Sequence, residues 1–314
     1  MSELKAGCQV AVLGAAAVDW VARVKEFPAV DGISFADQYQ PFPGGSGGNV
    51  AEGVARLGYR VRFLGALGDD AGGKLLLEAF REAGVDTRGT RIGKDERSAA
   101  CFIAVDADGQ RMIFALGGAA LLEKAEDVRR EWLQDAGILY IADAWQEVAL
   151  AAISSLPPGA RVVFSPGGLL VSAGMEYLQP ILERTDVLIL NQVEVESLAK
   201  ETDPEKACRV LLAHGPAVIL LTLGSRGVRV AQPGVFRPIP AVVVTGVVDT
   251  TGAGDAFSTG VLAGMLEGLD WEDCARLGCK TAAGKIQHFG SRAGLPDRAQ
   301  VASWLDETQN RRKR

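Results

Sequence analysis

The chain has 314 residues, 48% of them hydrophobic and 23% charged, the make-up of an ordinary globular protein. Its 33 Lys and Arg against 39 Asp and Glu leave a formal charge of −6, which argues against a dedicated nucleic-acid binder, since that needs a basic field to displace counterions. Two histidines, His214 and His288, exclude a His-rich zinc site, and the odd set Cys8, Cys101, Cys208, Cys274 and Cys279, with no Cys-x-x-Cys pair, argues against a disulfide framework or a zinc ribbon.

Residues 1–7 show no basic stretch followed by an apolar one, so no signal peptide is expected. Short apolar runs rich in β-branched residues recur at 10–13, 61–64, 138–141, 162–164, 187–190 and 218–222. They lack alternation, as strands do when a parallel sheet is covered on both faces. Amphipathic stretches at 49–57, 72–83, 124–134, 175–183 and 205–213 read as the helices between them. Strand–helix alternation implies a doubly wound α/β fold with right-handed crossovers. Residues 33–42, 99–105 and 111–116 alternate instead, with Asp108-Gly109 as a hairpin turn, and read as a small antiparallel sheet with one wet face. Such a sheet, inserted into the α/β frame and half-covering a pocket, is a natural lid. With no internal repeat or linker, residues 1–314 are expected to form one α/β unit, its lid strands drawn from about 15–20, 33–43 and 97–118. No apolar run approaches the roughly 18 residues that span a bilayer. Reduced thiols fit a cytoplasmic setting, and the terminal Arg311-Arg312-Lys313-Arg314 reads as a solvated tail.

Two segments invite comparison with phosphate loops. Gly68-Asp69-Asp70-Ala71-Gly72-Gly73-Lys74 nearly matches a P-loop, but Leu75 stands where a magnesium-binding hydroxyl is needed, and no strand leads into it at the usual spacing. A surface turn opening the next helix is expected there. No Gly-x-Gly-x-x-Gly follows the first strand, which disfavours a dehydrogenase. The second segment, Asp249-Thr250-Thr251-Gly252-Ala253-Gly254-Asp255, is different. An apolar strand at 241–244 is expected to lead through this turn into a helix over 254–266. Glycines let successive amides converge and the helix N-terminus adds its positive end, so the site suits an anion, with Asp255 beside it.

The run from Asp249 through Asp255 to Ala256-Phe257 resembles the second signature of the PfkB family, the ribokinase-like carbohydrate kinases. Gly44-Gly45-Ser46-Gly47-Gly48-Asn49-Val50-Ala51 resembles the first signature, Asn191-Gln192-Val193-Glu194 the NxxE motif, and Thr222-Leu223-Gly224-Ser225-Arg226-Gly227 the nucleotide loop. The motifs stand in family order over nearly the whole chain. The resemblance implies a three-layer α/β/α fold with a mostly parallel sheet and a β lid, and transfer of the ATP γ-phosphoryl group to a hydroxyl, a reaction that depends on positioning and positive potential. It implies Asp255 as general base, with the amides of Gly252, Ala253, Gly254 and Asp255 as anion hole. It implies acceptor contacts from Asp19, Gly45, Asn49 and Asp143, and nucleotide contacts from Asn191, Thr222, Gly224, Ser225 and Gly227, with Cys279 at an adenine-adjacent position. Magnesium would be held through water by Glu194, and a monovalent cation, potassium, by Asp249, Thr251 and Gly290. Asn49 also suits a helix N-cap and Asp255 a favourable charge in a helix's first turn.

Departures from ribokinases proper spare the phosphoryl-transfer residues and bear on the acceptor: Ala17 where they carry Asn, Ser46 where they carry Lys, Cys279 where they carry an adenine-adjacent Asn, and Gly290-Ser291-Arg292 for Gly-Ala-Gln. The acceptor therefore stays open between a small sugar and a nucleoside, the latter suggested by Phe164-Ser165-Pro166-Gly167. A non-catalytic binding protein on the same scaffold is the remaining alternative. An inserted sheet with exposed edges and an apolar face predicts a homodimer through the lid.

Overall fold

The computed structural model describes residues 7–312, with side chains through residue 307. Residues 1–6, bearing most of the amino-terminal reading, and Lys313 and Arg314 of the basic tail lie outside the described residues. In chain order the strands are β1 (Val10–Leu13), β2 (Ala17–Val24), β3 (Ala36–Gly44), β4 (Val61–Gly68), β5 (Asp86–Gly93), β6 (Ala100–Val105), β7 (Arg111–Ala115), β8 (Ile138–Ile141), β9 (Arg161–Phe164), β10 (Val187–Asn191), β11 (Val218–Thr222), β12 (Val228–Gln232) and β13 (Val235–Ile239). The helices are α1 (Ser46–Arg56), α2 (Ala71–Ala83), α3 (Gln146–Ser154), α4 (Gly167–Val171), α5 (Gly174–Leu182), α6 (Gln192–Ala199), α7 (Pro204–Leu212), α8 (Ala253–Leu266), α9 (Trp271–Lys285) and α10 (Arg298–Arg312).

Nine strands form the central sheet in the order β13-β12-β11-β10-β9-β8-β1-β4-β5, parallel from β11 to β5 and closed at the far edge by the antiparallel pair β12 and β13. Along each central strand successive residues enter opposite cores. Val10, Val12, Val187, Ile189, Val218 and Leu220 pack with α1, α2, α8 and α9, whereas Ala11, Leu13, Leu188, Leu190, Ile219 and Leu221 pack with α3, α5, α6 and α7. Both faces need apolar side chains, so the strands read as unbroken apolar runs. Small residues let α8 run through the middle of one layer: a Cβ on Gly260 would lie 2.7 Å from the Cα of Gly278 on α9.

The second sheet has the order β3-β2-β6-β7, with β2 and β6 parallel and its other pairs antiparallel. Its inner face carries Val21, Ile103 and Val105 against Phe42 and Phe289. Its outer face carries Trp20, Phe102 and Phe114, which stand opposite one another in register, with Tyr39 stacked on Trp20 at 5.4 Å.

Several segments differ from the sequence reading. Residues 124–134 form two 3-10 turns, Ala125–Asp127 and Arg130–Trp132, rather than a helix. The Asp127 carboxylate accepts from the amides of Glu123 and Lys124 and ties the chain into a local turn that competes with the helix. Residues 241–244 form no strand, and Val243 is 93% exposed. The hairpin β12–β13 already closes the sheet edge and ends at Pro240, so this run has no neighbour to pair with. The first alternating segment pairs only from Ala36 to Gly44, leaving Ile33 and Phe35 exposed. The edge strand β5, polar in sequence, was not expected at all. A strand, β4, does lead into the P-loop-like segment, but Asp70 caps α2 there. Its Oδ1 accepts from the Gly73 amide at 2.8 Å and from Ser98 Oγ at 2.7 Å, so a carboxylate already occupies that helix mouth.

Candidate active site

In the central sheet the chain order reverses beside β1, with β4 on one side and β8 on the other. Ligands of open α/β sheets bind beyond the strand ends at such a switch point. The fold places Gly14 after β1 and Asp143 after β8 at this point, and Asn191 and Thr222 at the same ends of β10 and β11 farther along the sheet.

Asp19, on β2, is 6% exposed. Its carboxylate lies against Gly44, where a Cβ would come within 2.0 Å of Oδ2, so only glycine admits it. The cap of α1 is Gly45, not Asn49, with a φ of 81° that favours glycine. Asn49 sits one turn in and is buried. Its Nδ2 donates to Asp255 Oδ2 at 2.7 Å, and its Oδ1 accepts from Arg292 Nε at 2.8 Å. Arg292 thereby fixes which end of the amide faces Asp255. The same guanidinium pairs with buried Glu52, donates from Nη2 to the Gly44 carbonyl at 2.8 Å and lies over the Phe80 ring. Ser291 Oγ lies 3.5 Å from Asp19 Oδ2. One arginine thus joins the glycine turn, α1 and the loop after α9.

Asp255 stands in the first turn of α8, behind Gly252, which caps the helix with a φ of 74°. Burial pushes its carboxyl up to about 6, opposed by the Asn49 bond and by the positive Arg292, Arg111 and Lys285. Asp19 and Asp143 are likewise raised to about 6, by burial first, and the charge of Asp255 adds to both. The Ala253 amide donates to the Thr250 carbonyl at 3.2 Å and so is partly engaged. The amides of Gly254 and Asp255 lie in the unpaired first turn, and Gly254 is exposed, with nothing within 4 Å of where a Cβ would stand. Behind this turn Asp249 is 1% exposed. Its Oδ1 accepts from the Thr251 amide at 2.8 Å and its Oδ2 from the Gly290 amide at 2.9 Å.

The ends of β10 and β11 carry local turns. Asn191 caps α6 and forms a reciprocal capping box with Glu194: Asn191 Oδ1 accepts from the Glu194 amide at 3.0 Å, and Glu194 Oε2 from the Asn191 amide at 2.9 Å. Burial raises the Glu194 carboxyl. Thr222 pairs in register with Asn191, and its hydroxyl donates to the Leu190 carbonyl at 3.3 Å. Gly224–Arg226 make an exposed 3-10 turn, closed by the Leu223 amide donating to the Gly227 carbonyl at 2.8 Å. The Arg226 guanidinium bonds Gln192, so this turn leans on the start of α6. Cys279 lies within the apolar core of α9, its thiol pushed up to about 11 by burial.

A family model described as pfkB family carbohydrate kinase matches residues 8–298. The chain belongs to that family. It is 29% identical to a ribokinase of Haemophilus influenzae, over 94% of this chain and 97% of that one. It is 32% identical to an uncharacterized sugar kinase of Archaeoglobus fulgidus, over 78% of this chain and 98% of that one. Among solved structures, an Arabidopsis thaliana ribokinase complexed with ribose and ATP superposes with a TM-score of 0.82 at 27% identity, covering 95% of this chain and 99% of that one. The chain is an ATP-dependent phosphotransferase of the ribokinase fold, as its motifs imply.

Three residues prominent in this pfkB-family site were not singled out for it from the sequence. Glu52 sits on an otherwise apolar helix face with Val50, Ala51 and Val54, and a buried acid needs a partner. Arg292 was noted only as a departure from ribokinases. Lys285 ends α9 after Ala282-Ala283-Gly284 and is fully buried. For Glu52, a charged residue inside an apolar stretch was the available signal.

Proposed function

We propose that this kinase transfers the γ-phosphoryl group of ATP to a hydroxyl of a small sugar, with Asp255 taking the hydroxyl proton. The supporting observation is the Asp255 carboxylate at the mouth of α8, held by Asn49 at 2.7 Å and raised to about 6. A base with that value is ionised at neutral pH and still strong enough to accept a proton in the transition state. The amides of Gly252, Gly254 and Asp255, with Ala253 between them, face the charge that builds on the transferred group. Such donors act where water is excluded and need no reorganisation. Asn49 holds the base in place. Asp19, Asp143 and the Gly45 backbone receive the acceptor's hydroxyls, since a carboxylate can accept from two hydroxyls at once.

ATP lies along the strand ends toward Asn191, Thr222, Gly224, Ser225 and Gly227, with Cys279 beneath the adenine end. Magnesium fits this end, where the Glu194 carboxylate and Asn191 amide are hard oxygen donors. Among the described residues no group of three or more His, Cys, Asp and Glu could hold a metal, which suits an ion carried in with the nucleotide and held by Glu194 through water. When bound, it supplies charge neutralisation on the phosphates. The small sheet closes over the acceptor as a lid. Its outer face exposes Tyr39, Met112, Phe114 and Leu116 by 45–59%, an apolar patch that supports a homodimer through the lids. Five free cysteines, four of them buried, support a reducing, cytoplasmic setting.

The test is product formation from ATP with ribose, fructose, ketodeoxygluconate, adenosine and cytidine in turn, with ADP separated chromatographically. Turnover with a sugar supports the reading. Turnover confined to a nucleoside selects the second acceptor class, to which the Phe164-Ser165-Pro166-Gly167 stretch points by resemblance. ATP left intact with all five overturns both.

A further inference from the structure

The turn that presents the anion hole is organised around a buried ammonium group. Lys285, the last residue of α9, is 0% exposed. Its Nζ donates to the Asp249 carbonyl at 2.7 Å and to the His288 carbonyl at 3.2 Å, and lies 3.8 Å from Asp249 Oδ2. Around it the two chain segments are sewn together. The amides of Val248 and Asp249 donate to the Ile286 carbonyl at 2.8 and 3.2 Å, and the Gly290 amide donates to Asp249 Oδ2. From this knot the chain passes through Thr251 and Gly252 directly into the first turn of α8.

The potassium ion expected from Asp249, Thr251 and Gly290 does not fit this arrangement. An ion there would need the Asp249 backbone oxygen and carboxylate as ligands, and a cation already sits on both. The ammonium group supplies the same single positive charge to the same oxygen-rich loop, with no ion to recruit. Burial lowers Lys285 to about 8, opposed by Asp249 and Asp255, and it remains protonated at neutral pH. The Asp249 carboxylate and two carbonyls with no compensating cation in a closed space would repel one another.

We propose that Lys285 is a positioning residue for phosphoryl transfer: its ammonium group is a covalently tethered cation that takes the place of a monovalent ion and holds the 249–255 turn in its anion-binding form. This rests on the kinase reading for its catalytic consequence, but the loop geometry it explains is independent of the acceptor. The group touches no substrate; it acts through the backbone carbonyls that set the direction of the amides after Gly252.

The experiment compares the unsubstituted chain with Lys285→Ala in potassium, sodium and choline chloride at equal ionic strength, reading thermal unfolding and turnover. The unsubstituted chain is expected to show the same Tm and, within about twofold, the same kcat in all three salts. Lys285→Ala empties the position while leaving its oxygens, so potassium or methylammonium is expected to raise its Tm where choline does not. Its kcat in choline is expected to fall by roughly 10²–10³, the scale of losing an oriented anion-hole donor. Potassium or methylammonium should restore at least about tenfold of that loss by refilling the charge, with the acceptor KM little changed. Stimulation of the unsubstituted chain by potassium, or a Lys285→Ala variant that turns over normally in choline, overturns the proposal. If Lys285→Ala does not fold, salt-independence of the unsubstituted chain decides alone. A Tm response to potassium confined to the variant supports the tethered cation even if no acceptor is turned over, which separates this inference from the kinase reading.

Discussion

The two parts of the candidate site are held in contrasting ways. At the proposed acceptor part, residues far apart in the chain meet in one buried charged network: Asp19, Gly44, Asn49, Glu52, Asp255 and Arg292, with hydrogen bonds spanning 206 to 248 positions. At the proposed nucleotide part, Asn191–Glu194 and Thr222–Gly227 are short turns capping the ends of β10 and β11, bonded mainly within themselves and exposed at Asn191 and Ser225. The first end is buried and depends on every member having its partner. The second is local, solvated and built from backbone. On the proposed roles, chemistry that needs a fixed base suits the first, and a ligand that brings its own charge suits the second. Substitutions should therefore act collectively at one end and separately at the other.

The largest effect is expected at the base. Asp255→Asn keeps the size and the Asn49 partner but cannot take a proton, so kcat should fall by about 10²–10⁴, measured under saturating ATP and acceptor. The fold should survive, because a desolvated charge is removed rather than created. Turnover near normal would take Asp255 out of its role. Next comes the ion pair beneath it. Glu52→Ala leaves Arg292 buried without its carboxylate and should cost about 3–5 kcal/mol in denaturant unfolding. Asn49 would lose its fixed orientation with it, so the acceptor KM should rise as well. A stability loss under 1 kcal/mol would show the network to be looser than its bonds suggest.

The contrast also decides what the sequence could reveal. The parallel sheet was legible because strands covered on both faces are apolar along their buried length, as 187–190 and 218–221 are. The entry to α8 was legible because the residues that make it, Asp249 to Asp255, are consecutive. The network was not legible as a network, since nothing in the chain says that Arg292 meets Glu52 across 240 positions. Lys285 was hidden for the same reason: its partners are backbone carbonyls, which carry no sequence signature. The misread segments follow suit. Local patterning at 124–134 and 241–244 was good enough for a helix and a strand, but a turn bonded by Asp127 and a sheet edge already closed by β13 decided otherwise. The polar edge strand β5 escaped because an edge exposes one side to water, and its burial is mixed.

The pH response should sharpen the comparison further. Asp19, Asp143 and Asp255 all stand near 6 in the fold against 3.8 ordinarily. The fold therefore favours their protonated forms: their contribution to stability is complete below about pH 4 and is lost as pH rises through about 6. Activity runs the other way, because the base works only when ionised, so kcat/KM should rise to a plateau with an acid limb near 6. The three carboxylates titrate as a coupled set, and Asp19→Asn, which removes one neighbouring negative charge, should move that limb to lower pH. Asp255→Asn should reduce the loss of stability between pH 4 and 7, by about 1 kcal/mol after allowance for solvent screening. An acid limb that stays put in Asp19→Asn would mean that the observed ionisation is not that of Asp255.

The smallest effect tests the other half of the contrast. Asn191→Ala removes a cap that accepts one amide and leaves Glu194 without its reciprocal partner. Loss of such a cap costs about 1 kcal/mol, and exposure lets water take over the freed amides. The change should therefore raise the KM for ATP several-fold while leaving the acceptor KM and the acid limb near 6 in place. Because Asn191 shares no partner with the Arg292 network, the stability losses of Asn191→Ala and Glu52→Ala should add within about 0.5 kcal/mol in the double variant. Glu52→Ala and Asn49→Ala, which share Arg292, should fall short of additivity, because the second change removes a contact the first has already broken. Non-additivity between Asn191 and Glu52 would mean that the two ends move as one body, and the division drawn between a collective acceptor site and a modular nucleotide site would fail.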